Sequence, residues 1–221
     1  MKNKLTIILI CCFIISSCDN KPTLSNDQPE EITHPEKKAI SVEEALLSDL
    51  SAWTEHWAYF VSDFSIEKFE KGEENELQDL SSDLIPEMKP GPVFQEKMIV
   101  SPGKSRYIDL YSYKMIIFSK EGELIGSINP DAEAVIIDPR QEIRNRILFM
   151  GPAGGIEDAT WLSDEEILIS GFSVDESGHS SPMLWHINLN NKTMNAFYYP
   201  VSTDYNSKAY LQKVFPQVKF D

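Results

Sequence analysis

Basic residues are in short supply in this chain. Lys and Arg number 20 against 35 Asp and Glu, a formal net charge of −15 over 221 residues. A surface so acidic repels phosphate backbones and anionic headgroups, which argues against nucleic-acid binding. Cysteine is scarcer still: the three are Cys11, Cys12 and Cys18, so no disulfide framework can hold the rest of the chain. Motifs for metals and nucleotides are missing too. There is no H-E-x-x-H, H-x-x-E-H or C-x-x-C spacing, and the histidines (His34, His56, His179, His186) are widely scattered. Gly151-Pro152-Ala153-Gly154-Gly155 is followed by Ile156-Glu157-Asp158 rather than by the Lys-Ser/Thr of a phosphate loop, so it reads as a flexible turn. No cofactor and no metal are expected.

What the chain does have at its start is a leader. Lys2 and Lys4 precede an apolar run from Leu5 to Ile15, 11 residues against the roughly 20 of a membrane span. The leader closes on Ile15-Ser16-Ser17-Cys18, which resembles the lipobox of bacterial lipoproteins. The resemblance implies removal of residues 1–17 as a signal peptide and a diacylglyceryl group on the Cys18 sulfur. It places the protein in the cell envelope, membrane-anchored and facing the periplasm. An ordinary secretory signal cut after Ser17 is the alternative, but Cys18 would then be a lone mature cysteine with no disulfide partner. Cleavage removes two lysines and no acid, taking the charge from 20 − 35 = −15 to 18 − 35 = −17. Asp19 resembles an inner-membrane retention signal of enteric bacteria, a rule other lineages do not follow, so both membranes stay open.

Residues 18–40 read as the lipidated N-terminus and a disordered tether, with Pro22, Pro29 and Pro35 among mixed charges and almost no large apolar side chain. Residues 41–221 read as a single β-rich domain opened by an amphipathic helix over 41–64. Ser41 and Glu44 have capping-box spacing. Leu46, Leu50, Trp53, Trp57, Phe60 and Phe64 then recur at helical intervals. The segment carries five acids and no Lys or Arg, whereas interfacial helices favour a basic polar face, so the stripe is expected to pack on the protein's own sheet. His56 reads as a helix-surface histidine. Residues 67–92, with acids at Glu70, Glu73, Glu74 and Glu76, read as a solvated loop.

From Lys97 onward the period changes to two. Expected strands are 98–101, 107–112, 115–119, 124–128, 134–138, 146–150, 158–161, 167–172, 183–188 and 193–199. A short C-terminal helix is expected near Asn206–Val214, stopped by Pro216. Met98 to Leu110 and Ala159 to Gly171 echo one another, each a short strand, a Ser-led turn (Ser101-Pro102-Gly103 and Ser163-Asp164) and a second strand. Each is followed by a further hairpin. The pattern resembles blades of TolB-like and WD40-like β-propellers. About 100 residues of strand are too few for the four blades of a closed ring. The expectation is therefore mainly β: antiparallel, blade-like sheets, open or incompletely propeller-like.

Candidate chemistry is thin. Asp175 to Ser181 gathers Asp, Ser and His179 in one hairpin loop, but such residues are common in loops and no G-x-S-x-G elbow occurs. Tyr107, Tyr111 and Tyr113 fall on one face by period two, a surface for core packing first and for a ligand or glycan second. Trp161 and Trp185 read as core, and His186 as a satisfied structural residue. The favoured function is a non-enzymatic lipoprotein that touches a protein partner. A small-ligand or glycan-binding lipoprotein is the alternative, and an envelope hydrolase around His179 a lesser one.

Overall fold

The computed structural model describes residues 39–77, 82–84 and 91–220. Cys18, His34, the leader and nearly all of the tether lie outside the described residues. The protein is mainly β, with sheets built largely from antiparallel neighbours and none of them closed.

Two short helices stand where one was expected, α1 (Val42–Leu47) and α2 (Ser51–Phe60). Ser41 Oγ accepts the Glu44 N–H at 3.1 Å and fixes the start, as the capping spacing predicts. The break falls at Ser48–Leu50. Ser48 Oγ donates to the Glu44 carbonyl at 2.7 Å, competing with the helical ladder, and Asp49 accepts the Thr160 hydroxyl at 2.7 Å. The apolar stripe survives the break, since Leu46, Leu50, Trp53 and Trp57 are all buried.

The strands follow as β1 (Glu70–Glu76), β2 (Ser82–Leu84), then a single helical turn α3 (Pro92–Gln95), β3 (Ile99–Val100), β4 (Tyr107–Asp109), β5 (Met115–Lys120) and β6 (Glu123–Ile128). After them come β7 (Ala132–Asp138), β8 (Ile143–Met150), β9 (Gly154–Trp161), β10 (Glu166–Val174), β11 (Ser180–Asn188), β12 (Thr193–Tyr198), helix α4 (Ser207–Val214) and β13 (Val218–Phe220). Every strand expected beyond Lys97 is present. The presumed loop 67–92 instead supplies β1, an acidic edge strand pairing with β12. Edge strands need no apolar alternation, so the hydrophobic pattern gives no sign of it. Gly154 and Gly155, expected in a flexible turn, are buried residues of β9.

Three sheets result: β1-β12-β11-β10-β9, β2-β8-β7-β4-β3, and the small β13-β6-β5, in which β13 runs parallel to β6. Apart from the exposed edge strand β1, the first sheet is covered on both faces. Ile167, Ile169, Trp185 and Ile187 meet Ile108, Ala134, Ile136 and Leu148 of the second sheet and its flanking turns. The alternate residues Leu168 and Leu184 meet Leu46, Leu50, Trp53 and Trp57 of the helices. Each fully buried large apolar side chain contributes about 1.5–3 kcal/mol, so this two-sided sheet is the centre of stability.

The two echoed stretches lie against each other. The Gly103 N–H donates to Asp164 Oδ1 at 2.8 Å, the Arg106 guanidinium donates to the Asp164 carbonyl and to Glu165, and Trp161 Nε1 donates to the Ile99 carbonyl at 3.0 Å. The four strands β9 to β12 form one consecutive meander. The first stretch does not repeat it: β4 pairs with β7, and the β5–β6 hairpin leaves for the third sheet.

Candidate functional site

The polar centre of the molecule is built on a flaw in β9. Period-two alternation from Trp161 and Ala159, both in the inter-sheet core, would send Glu157 into that core as well. The register against β10 instead steps from Ser170↔Asp158 to Gly171↔Ile156. Glu157 is the extra residue of a β-bulge. Ile156 takes the core position, and Glu157 turns with Asp158 toward the helices.

Glu157 is 1% exposed, and three side-chain donors are aimed at its carboxyl. Trp53 Nε1 donates to its Oε2 at 2.9 Å, Trp57 Nε1 donates to the same oxygen at 3.3 Å, and the Tyr205 hydroxyl donates to Oε1 at 2.5 Å. Tyr205 also stacks on Trp57 with centroids 3.9 Å apart. Burial raises the Glu157 carboxyl above the ordinary carboxylate range, while the Lys114 charge and these three donors pull it down. Asp158 accepts the Tyr210 hydroxyl at 2.5 Å, and burial pushes it up to about 6. Burial beside these carboxylates raises the Tyr205 and Tyr210 hydroxyls, so both are held as neutral donors.

His56 sits in the same cluster and not on the helix surface. It is 3% exposed between the rings of Phe60, Tyr205 and Tyr210, 5.2–5.6 Å between centroids, and its Nε2 has no hydrogen-bond partner among the described residues. Burial lowers it to about 4, with Lys213 adding to the effect. Helix periodicity places it beside the stripe; only the return of Tyr205 and α4 over α2 encloses it.

Among the described residues the other edge of β9 has no strand neighbour. Two side chains from the turn between β4 and β5 satisfy it: Lys114 Nζ donates to the Ile156 carbonyl at 2.5 Å and the Tyr111 hydroxyl to the Glu157 carbonyl at 2.7 Å. Both are buried, and burial lowers the Lys114 ammonium while the Glu157 charge opposes the shift. Beside Lys114 lies a cavity of about 260 Å3 between the ends of β6 and β9 and the start of α4.

The residues singled out from sequence are dispersed. Tyr107 is half-buried, Tyr111 is core, and Tyr113 is exposed against Phe149, so the three share no face or pocket. β4 ends at Asp109, which is why period two fails beyond it: Asp109 Oδ1 accepts the N–H groups of Tyr111 and Ser112 and turns the chain. His179 Nε2 lies 3.4 Å from the fully exposed Asp204, with no serine hydroxyl bonded to it among the described residues, while Asp175 Oδ1 accepts the N–H groups of Ser177 and His179 in an ordinary turn. Trp161 and Trp185 are core, as expected. His186 is not satisfied among the described residues: its Nε2 makes no hydrogen bond there and lies 4.0 Å from Glu166. Cys18 lies outside the described residues. Among those residues no three His, Cys, Asp or Glu converge on a metal position, and no helix is long and apolar enough to cross a membrane.

As chemistry, the arrangement is a carboxylate held by neutral donors beneath two helices, with a buried amine and a cavity beside it. No family model, curated protein or solved structure matches the chain.

Proposed function

We propose that this is a bacterial envelope lipoprotein, cleaved before Cys18 and held by lipid on that residue, whose domain acts by binding a protein partner and not by catalysis. The observation that carries the reading is the leader: Lys2 and Lys4, the apolar run to Ile15, then Ile15-Ser16-Ser17-Cys18, with Cys18 the only cysteine left after cleavage. Stable anchoring takes more than one acyl chain, at about 0.8 kcal/mol for each buried CH2, which a diacylglyceryl group supplies.

Support for a protein contact comes from β5. It is an edge strand with Ile116 61% and Phe118 44% exposed, and its apolar run from Met115 to Phe118 gives way to polar residues only at Ser119 and Lys120. Such an edge offers unpaired backbone donors and acceptors to an extended segment. The β9–β12 meander with its Trp161-Leu162-Ser163-Asp164 turn supports reading that sheet as a solitary propeller-type blade.

Cys18→Ser is the direct test. The variant is expected to leave the membrane fraction and to lose incorporation of labelled palmitate; retention in the membrane would sink the anchor. For the partner, a photo-crosslinking residue at position 118 should trap a protein in intact envelopes, and one at exposed Glu176 should not. Equal labelling at both positions would reject β5 as the contact.

A further inference from the structure

We propose that the cavity beside Lys114 binds a small zwitterion of the α-amino-acid class, with its carboxylate on Lys114 and its ammonium on Asp131. The argument stands apart from the lipoprotein reading and starts from Lys114. Its side chain is 5% exposed and can donate three hydrogen bonds, but the Ile156 carbonyl is its one acceptor among the described residues. Buried donors in folded proteins are almost always satisfied, and an unsatisfied charged donor is the most unfavourable kind. Glu157 compensates its charge only through space, because no carboxylate lies within ion-pair distance of Lys114 among the described residues. A ligand carboxylate in the cavity supplies acceptors where the ammonium lacks them, as a charge-assisted bond.

The second charge in the lining sets the ligand class. Asp131 is half-buried in the same cavity and does not pair with Lys114. A simple anion would meet Asp131 and a simple cation would meet Lys114, each at a cost in like-charge repulsion. A molecule carrying both charges satisfies both groups. Ser207, the first residue of α4, lines the same cavity, and the positive end of that helix favours a ligand carboxylate. Phe172 and Pro152 give an apolar wall for a short side chain. The volume, about 260 Å3, lies below the roughly 300–1,000 Å3 of sites for drug-sized ligands, which restricts the ligand to the smaller amino acids.

The test is calorimetric titration of the full chain in detergent with glycine, alanine, serine, acetate, methylammonium and N-acetylalanine. The expected result is binding of at least one free amino acid with Kd between about 1 μM and 1 mM. Asp131→Asn should weaken that amino acid at least about tenfold and leave acetate unchanged or tighter, and N-acetylalanine should bind the unaltered chain at least about tenfold more weakly than alanine does. Lys114→Met should abolish binding; if that variant does not fold, Asp131→Asn and the acetylated probe still decide the matter. Absence of heat with every amino acid up to about 10 mM overturns the proposal. So does binding of acetate and alanine with equal affinity and no response to Asp131→Asn, which would mark an anion site only.

Discussion

Residues 98–128 and 159–199 begin alike and end differently. Both open with a strand, a Ser-led turn and a strand, and both continue into a hairpin. In the second stretch all four strands remain in one sheet, buried on both faces. In the first, the hairpin β5–β6 joins a separate small sheet that leaves Ile116 and Phe118 exposed. The difference lies in the connection. Between β10 and β11 a loop closed by Asp175 keeps the partners in register from Glu166↔Asn188 to Val174↔Ser180. Between β4 and β5, Asp109 turns the chain, and Tyr111 and Lys114 pin it to the edge of β9. An echo in sequence thus repeats the turn but not the sheet, because tertiary ties decide where the hairpin goes.

The comparison breaks hardest at Gly171. A Cβ there would come within 2.0 Å of the Gly155 carbonyl oxygen, backbone against backbone at the bulge. Neither atom can swing aside, so Gly171→Ala must push β9 from β10 and misplace Glu157. The loss should exceed the about 1–3 kcal/mol of ordinary overpacking and reach about 4 kcal/mol. Urea unfolding checks this, and a loss below about 1 kcal/mol would mean that the bulge tolerates a side chain.

Lys114→Met should come next, at about 3 kcal/mol. It leaves the Ile156 carbonyl unpaired and the buried Glu157 without its cation. Tyr111→Phe removes only the bond to the Glu157 carbonyl and should cost about 1 kcal/mol. If Lys114→Met proves neutral, the pin is not what diverts the hairpin.

These two residues also mark the limit of what the sequence makes legible. Continuous apolar runs such as Ile167-Leu168-Ile169 locate the strands of the core and carry no information about which face meets helices. Glu157 and Asp158 sit in the sequence as two acids before an apolar stretch, and nothing local signals a bulge that flips one of them. Lys114 and Tyr111 act on residues 42 and 46 positions away. The helix stripe is readable through Trp53 and Trp57, whereas their indole N–H groups acquire a purpose only when Glu157 arrives beneath them. β1 and β13 stay hidden for a different reason: they are short or acidic strands at sheet edges, formed by pairing more than by burial.

The two-sided sheet and the helix packed on it hold two buried groups shifted in opposite directions, Asp158 in β9 and His56 in α2. Asp158 is raised to about 6 from 3.8 in the fold, so it favours stability below about pH 4 and loses that contribution as pH rises through 6. His56 is lowered to about 4 from 6.5, so its contribution is full above about pH 6.5 and is lost as pH falls through 4. Relative to the unaltered chain, Asp158→Asn should gain roughly 2–3 kcal/mol between pH 4 and 6.5, and His56→Phe should lose a similar amount over the same range. Parallel pH profiles for both variants would show that neither group titrates differently in the folded state.

A more local test falls on the other side of the comparison, at the turn of the β5–β6 hairpin. Glu121 and Gly122 have φ of 55° and 86°, the pair of positive values that a two-residue turn of this hand requires. Gly122 has no neighbour within 4 Å, so Gly122→Ala meets no obstacle and suffers only backbone strain of about 1–2 kcal/mol. Because β5 and β6 reach the core through Met115 and a few partly buried side chains, that strain should loosen the hairpin locally. Hydrogen exchange should quicken at Phe118 and Ile125 while Ile169 and Trp185 keep their protection. Equal acceleration in both places would mean that the small sheet and the two-sided sheet open as one unit, and that the divergence of the two stretches ends at topology without reaching stability.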